Sequence, residues 1–249
     1  MIGLIFFIFG LVFGSFFNVC IYRIPREENI AFPPSHCASC GRELKAYELI
    51  PLISYIALGG KCKGCKERIS FIYPLVELIT AFTFLGMYIK FGISINTFKY
   101  IVLFSILIIA TVIDIKTKEV YFNVSLVGFL LGIIFSIIEI VNGKPIIEGV
   151  ISILIPLIIV GIIYLLSKRF DGFGGGDLEV YLFIALYLNP TLMGLTIFFS
   201  IITGGIFAIV LLLMGKRKMA IPFVPFISIG ALISVLWGIN ILNIYLSTL

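Results

Sequence analysis

The chain has 249 residues, 61% apolar and only 12% charged, with a mean hydropathy of +1.20. Soluble domains run near 45–50% apolar and about 25% charged, and one of this length has too little interior to hide so many Ile, Leu and Phe side chains. Composition thus excludes an ordinary soluble enzyme, a disordered chain and a disulfide-stapled secreted domain. The net charge of +5 is spread over short loops and predicts no nucleic-acid partner.

A helix needs about 20 apolar residues to cross the roughly 30 Å hydrocarbon core. The first such run, 2–19, has nothing basic before it and Arg23 and Arg26 at its end. No small-residue cleavage pattern follows it, so it reads as a retained span rather than a cleavable signal. Basic residues after a first span place that end in the cytoplasm. Further runs cover 72–88, 98–113, 122–140, 150–166, 192–214 and 223–245. A shorter run, 178–188, ends at Asn189-Pro190 and reads as a short span or a re-entrant piece.

Counting that piece as a span gives an all-α polytopic membrane protein of about eight helices with both termini on one side. Fifteen basic residues then face the cytoplasm: Arg23, Arg26, Arg42, Lys45, Lys61, Lys63, Lys66, Arg68, Lys116, Lys118, Lys168, Arg169, Lys216, Arg217 and Lys218. Only Lys90, Lys99 and Lys144 lie outside. A seven-span arrangement would break this separation after Asp177. The expected organisation is a first membrane helix (1–22), a cytoplasmic cysteine-bearing loop (23–70) and a seven-helix membrane region (71–249).

The loop holds Cys37-Ala38-Ser39-Cys40 and Cys62-Lys63-Gly64-Cys65, two CxxC knuckles separated by 21 residues. Two residues between cysteines let a tight turn aim both sulfurs at one tetrahedral ion, so the tetrad reads as a structural zinc site. Gly41 and Gly64 suit such turns. Reduced or redox-active thiols are the alternative, while a cytoplasmic loop argues against structural disulfides. His36 reads as a solvated loop residue before it reads as a substitute ligand. Cys20, at the end of the first span, reads as a small buried apolar residue.

Carboxylates in or beside spans are expensive, so each is a functional candidate. Asp114 ends the third run. Asp177 closes Gly172-Phe173-Gly174-Gly175-Gly176-Asp177, on the same side and at similar depth. The two lie 63 residues apart in sequence, yet the topology lets them meet. Two carboxylates in one poorly solvated site cannot both ionise cheaply, which yields a base to activate water and an acid to polarise a peptide carbonyl. The glycines allow sharp bending and close approach of a substrate backbone. Taken singly, Asp114 also reads as an interfacial charge beside Lys116 and Lys118, and the glycine run as a connector. It is not a dinucleotide fingerprint, because the third glycine of that pattern falls on Asp177. Glu77, inside the second run, reads as a structural hydrogen-bond acceptor toward a neighbouring helix or as a contact for a substrate amine. Glu139, Glu148 and Asp171 read as solvated or interfacial charges, and Glu179 as interfacial.

The ordered motifs resemble those of the bacterial type IV prepilin peptidases, the prepilin leader peptidase/N-methyltransferases. They begin with Gly14-Ser15-Phe16-Phe17-Asn18-Val19-Cys20-Ile21-Tyr22-Arg23-Ile24-Pro25 and continue through the paired knuckles flanking Ile50-Pro51-Leu52-Ile53-Ser54-Tyr55. Tyr73-Pro74-Leu75-Val76-Glu77, Ile113-Asp114, the GxGD signature Gly174-Gly175-Gly176-Asp177 and Ile221-Pro222-Phe223-Val224-Pro225-Phe226 follow in order. The resemblance implies an eight-span aspartyl protease with Asp114 and Asp177 as its catalytic pair, cleaving prepilin or pseudopilin leaders at the cytoplasmic face of a bacterial inner or plasma membrane. It also implies S-adenosylmethionine-dependent methylation of the new N-terminus, with the cysteine-bearing loop linked to that step. Tyr121 and Phe122 stand where relatives often have Pro then Asp or Asn, and Glu179 where they have Lys. A proton-coupled transporter would use intramembrane Asp but leaves the knuckles unexplained, and a zinc-stabilised scaffold would tolerate loss of both aspartates.

Overall fold

The computed structural model describes residues 1–167, 174–215 and 221–248. Lys168, Arg169, Asp171, Gly172, Phe173, Lys216, Arg217 and Lys218 of the sequence reading lie outside the described residues. The elements are helices α1 (Ile2–Arg23), α2 (Ile53–Ala57), α3 (Ile72–Phe91), α4 (Ile95–Thr117), α5 (Phe122–Val141), α6 (Ile146–Ser167), α7 (Gly175–Ala185), α8 (Pro190–Leu213) and α9 (Val224–Ser247). Among the described residues the only β-pairing is two isolated bridges, His36 with Glu43 and Lys61 with Arg68.

Among the described residues, seven helices are long and apolar enough to cross a membrane. Their outward residues, such as Leu4, Phe82, Leu130, Leu165, Ile206 and Ile244, are apolar and exposed, which water would penalise and lipid accepts. The shorter run expected at 178–188 forms α7, whose 11 residues reach only about 16 Å at 1.5 Å per residue. The eighth element is therefore a short helix rather than a full-length span. Asn189-Pro190, which bounds it, starts the next helix: Asn189 Oδ1 accepts the N–H of Leu192 at 2.9 Å and Pro190 opens α8, as capping preferences dictate.

The chain divides into two compact units, Met1–Ile101 and Val102–Leu249. In the first, α1 and α3 pack antiparallel with their backbones nearly touching. A Cβ on Gly10 would lie 2.5 Å from the Ala81 Cα, and one on Gly14 would lie 2.6 Å from the Glu77 Cα. Gly10 and Gly14 form a GxxxG pair, the pattern by which membrane helices approach closely when no hydrophobic effect drives them together. Asn18 Nδ2 donates to the Tyr73 carbonyl (3.0 Å) one turn further along the same seam. At the end of α1 the buried Arg23 guanidinium donates to the carbonyls of Asn29, Ile30 and Pro33, which fixes the chain as it enters the loop.

In the second unit α7 is the most buried helix: Val180, Tyr181, Phe183, Ile184 and Ala185 are all essentially inaccessible. A second GxxxG pair, Gly128 and Gly132 on α5, makes room for Phe183, Leu186 and Tyr187. Tyr187 closes that contact by donating to the Gly128 carbonyl at 3.0 Å. Tyr181 and Ser200 share a hydroxyl–hydroxyl bond between α7 and α8. Antiparallel α8 and α9 meet at Gly230, where a Cβ would sit 2.7 Å from the Thr196 carbonyl oxygen. A short helix whose sides all face protein needs no bilayer length of its own.

Candidate active site

Asp114 sits in the last turn of α4 and is 4% exposed. Its Oδ2 accepts the N–H of Val224, the first residue of α9, at 3.0 Å. The first N–H groups of a helix have no intrahelical partner and carry partial positive charge, so a carboxylate there is doubly favoured. One turn back, the Thr111 and Ser228 hydroxyls meet at 2.7 Å and hold α4 against α9. Val224 lies in the motif at 221–226, but the motif assigns no role to it or to the Thr111–Ser228 pair; Pro225 at the second helical position suits the start of α9.

Asp177 occupies the first turn of α7, after Gly174 as the N-cap. Its N–H donates to the Gly174 carbonyl at 3.2 Å. It lies close enough to Asp114 for the two charges to interact. Gly176 has a steric reason: a Cβ there would fall 2.6 Å from the Val120 Cβ, a neighbour that sequence inspection missed. Gly174 has no such constraint, since its Cβ would reach only 3.6 Å from Asp177 Oδ2, and Gly175 faces Tyr164 at 3.8 Å.

The cysteine loop lies within the first unit. The Sγ atoms of Cys37, Cys40, Cys62 and Cys65 all lie within 4.8 Å of one another, and those of Cys37 and Cys65 are 3.8 Å apart. Tetrahedral coordination with metal–sulfur bonds of about 2.3 Å puts sulfurs roughly 3.8 Å apart, whereas a disulfide needs about 2.05 Å. The thiols are free, and the four sulfurs are grouped so that they could hold a metal ion. His36 is exposed and stands outside this group, with Nδ1 3.1 Å from the Pro34 carbonyl oxygen.

The two knuckles are built alike. Cys37 N–H donates to the Arg42 carbonyl and Cys62 N–H to the Glu67 carbonyl. The left-handed residue after each second cysteine is Gly41 (φ 68°) and Lys66 (φ 62°). Gly64 therefore serves otherwise than the turn reading expected: a Cβ there would crowd the Arg42 side chain at 3.0 Å. That guanidinium, also unforeseen, forks onto Glu48 at 2.6 and 3.1 Å and lies near enough to the Cys62 sulfur for their charges to interact, which brings the two knuckles together. Arg42, with the Lys45 N–H, holds the Glu48 carboxyl down at about 2. Backbone N–H groups of Cys65 and Gly64 draw the Cys62 thiol down to about 6, an environment made for thiolate.

Glu77 is 7% exposed. Its Oε2 accepts the N–H of Leu52 at 2.8 Å, and Ser15 of α1 lies near enough to interact with it. Its hydrogen bond thus goes to the loop backbone, with the neighbouring α1 alongside. Glu139 pairs with Lys144 at 2.6 Å, and Cys20 is buried, both in keeping with the bland readings. Lys99 lies in α4, buried, its ammonium 4.7 Å over the Tyr100 ring.

Comparison with known proteins gives the same two parts. The Bacterial Peptidase A24 N-terminal domain matches residues 8–91, and the Type IV leader peptidase family matches residues 101–209. The chain is 33% identical to a prepilin leader peptidase/N-methyltransferase of Bacillus subtilis (strain 168), over 97% of each. It is 29% identical to one of Pseudomonas putida, covering 93% of this chain and 89% of that one, and 30% identical to one of Pseudomonas aeruginosa, covering 95% and 91%. No solved structure matches. Seven membrane-length helices and these bacterial relatives describe a multi-pass bacterial membrane protein. The chain belongs to the type IV leader peptidase family, alongside the prepilin leader peptidase/N-methyltransferases.

Proposed function

We propose that this protein is a membrane aspartyl endopeptidase that removes the leader of type IV prepilins or pseudopilins at the cytoplasmic face, and then methylates the new N-terminus with S-adenosylmethionine. The observation that carries the protease reading is the approach of Asp114 and Asp177, from helices far apart in sequence, to within electrostatic reach. In the proposed step the ionised member of the pair takes a proton from water, whose oxygen attacks the scissile carbonyl carbon. The protonated member donates to the carbonyl oxygen. Collapse of the tetrahedral adduct breaks the C–N bond, and the amine leaves with a proton returned by the dyad. Of the glycines before Asp177, Gly174 and Gly175 leave the backbone bare for an extended substrate, while Gly176 is taken up by packing on Val120.

Cys37, Cys40, Cys62 and Cys65 would hold a structural Zn²⁺, which ties the two halves of the loop together when bound. The sulfur spacing favours this over a redox pair. The membrane-length helices suit a substrate whose apolar stem lies in the bilayer while its leader stays in water.

The test is cleavage of a prepilin by purified protein in lipid, read by product mass, with wild type, Asp114→Asn and Asp177→Asn. Leader loss in the wild type alone supports the dyad; cleavage surviving in either variant refutes it. A gain of one methyl mass with the donor supports the second activity.

A further inference from the structure

The first unit carries a half-open cavity of about 390 Å³ between the carboxyl end of α1, the amino end of α3 and the cysteine loop. Small-molecule sites commonly measure about 300–1,000 Å³. Its lining includes Ser15, Asn18, Tyr22, Tyr55, Tyr73 and Glu77. Three buried charged side chains line it, Arg23, Glu48 and Glu77. Arg23 is spent on the loop carbonyls and Glu48 on Arg42, whereas Glu77 is held in place by the Leu52 N–H alone. A carboxylate has about four lone-pair sites, so that bond leaves it capacity for a ligand.

A buried carboxylate in a cavity that Tyr22, Tyr55 and Tyr73 also line is suited to an onium cation. A sulfonium has no N–H to donate, so it is recognised by opposite charge and by the faces of aromatic rings. Tyrosine rings also offer faces for a purine, while Ser15 and Asn18 offer polar groups at the same wall. We propose that this cavity binds the methyl donor, a sulfonium nucleoside, with its sulfonium beside Glu77. The assignment rests on the methyl-transfer reading above and gives that activity a place.

The chemistry balances with an amine acceptor. The nitrogen lone pair forms the new N–C bond, the C–S bond breaks with its electron pair going to sulfur, and the ammonium proton leaves to water. The products are the methylated N-terminus and S-adenosylhomocysteine. Cys37 and Cys62 also line the cavity, so the knuckles form one of its walls, and a metal that fixes them would fix the site.

The experiment measures calorimetric binding of S-adenosylmethionine and of S-adenosylhomocysteine, whose sulfur is neutral, to the full chain in detergent. Labelled donor is also photo-crosslinked and the labelled peptides mapped. Wild type, Glu77→Gln and the cavity-filling Ser54→Phe are compared, each checked for monodispersity and wild-type helical content. Glu77→Gln is expected to weaken the sulfonium ligand about tenfold or more and the neutral one less, a split that mere loosening of the fold would not give. Ser54→Phe should weaken both, and wild-type label should map to peptides bearing residues 15–23 or 54–77. Unchanged donor affinity in both variants, equal weakening of the two ligands by Glu77→Gln, or label mapping elsewhere overturns the assignment. Should Glu77→Gln misfold, Ser54→Phe and the mapping decide. Wild type that methylates mature pilin but carries its label elsewhere refutes the cavity alone; wild type that neither binds donor nor methylates refutes the methyl-transfer reading with it.

Discussion

Asp114 on α4 accepts the backbone N–H of Val224, the first residue of α9, at 3.0 Å. One side chain thereby closes a helix terminus and offers a carboxylate to Asp177. These two duties separate under mutation. Asp114→Asn keeps an acceptor for Val224 and should preserve thermal stability while lowering leader cleavage by roughly 10²–10⁴-fold. Asp114→Ala should lose cleavage equally and in addition destabilise the fold by about 1–3 kcal/mol, the cost of a buried donor left unpaired. Thermal unfolding and cleavage rates, measured on both variants, check the separation.

The glycines before Asp177 should differ in tolerance. Gly176→Ala drives a Cβ to 2.6 Å from the Val120 Cβ, and overpacking of that kind costs about 1–3 kcal/mol. Gly174→Ala meets nothing closer than 3.6 Å and should leave stability near wild type. Removing the clashing Cβ should relieve the strain, so Gly176→Ala made in a Val120→Gly background should cost little against Val120→Gly alone; the full loss persisting there would show that the strain lies elsewhere.

On α1, Gly10→Val should force α1 away from α3, because the new side chain meets the Ala81 backbone at 2.5 Å and backbone cannot swing aside. Gly86 and Gly161 have open space where a Cβ would stand, so alanine there should be mild. The expected result is a clear fall in the thermal midpoint for Gly10→Val and little change for Gly86→Ala.

Glu48 predicts an acid-sensitive loop. Its carboxyl, normally near 4.5, is held at about 2 by the Arg42 guanidinium and the Lys45 N–H. A lowered folded-state value means the contribution to stability is full above about 4.5 and is lost as pH falls toward 2. Amide exchange across 42–49, compared between wild type and Glu48→Gln at each pH, should show strong extra protection in wild type near neutrality and none near pH 2.

Metal removal should act on the loop first. Purified under reducing conditions without chelator, the protein should carry one Zn²⁺ per chain, and Cys37→Ser or Cys62→Ser should lower that content. Because the ligands bind as thiolates, affinity should fall as pH is lowered. Metal analysis after dialysis at stepped pH checks both points; a metal-free wild type would refute the zinc assignment.

Composition and hydropathy alone settle the solvent of this protein and its membrane-length helices, and the motifs name its candidate groups. Apolar runs of about 20 residues leave no other solution, because backbone polar groups in lipid are satisfied within a helix. The knuckles were legible for a similar reason: the CxxC spacing is local, and local geometry sets where two sulfurs point. Relations between distant segments emerge from packing alone. Val224 at Asp114, Val120 against Gly176, Arg42 beside Cys62 and Leu52 on Glu77 join residues that no periodicity links. The length of α7 belongs here too, since burial among its neighbours, and not the bilayer, sets what a helix must span. Lipid does not distinguish one apolar face from another, so close packing at Gly10, Gly14, Gly128 and Gly132 chooses the partners, and those partners place the carboxylates.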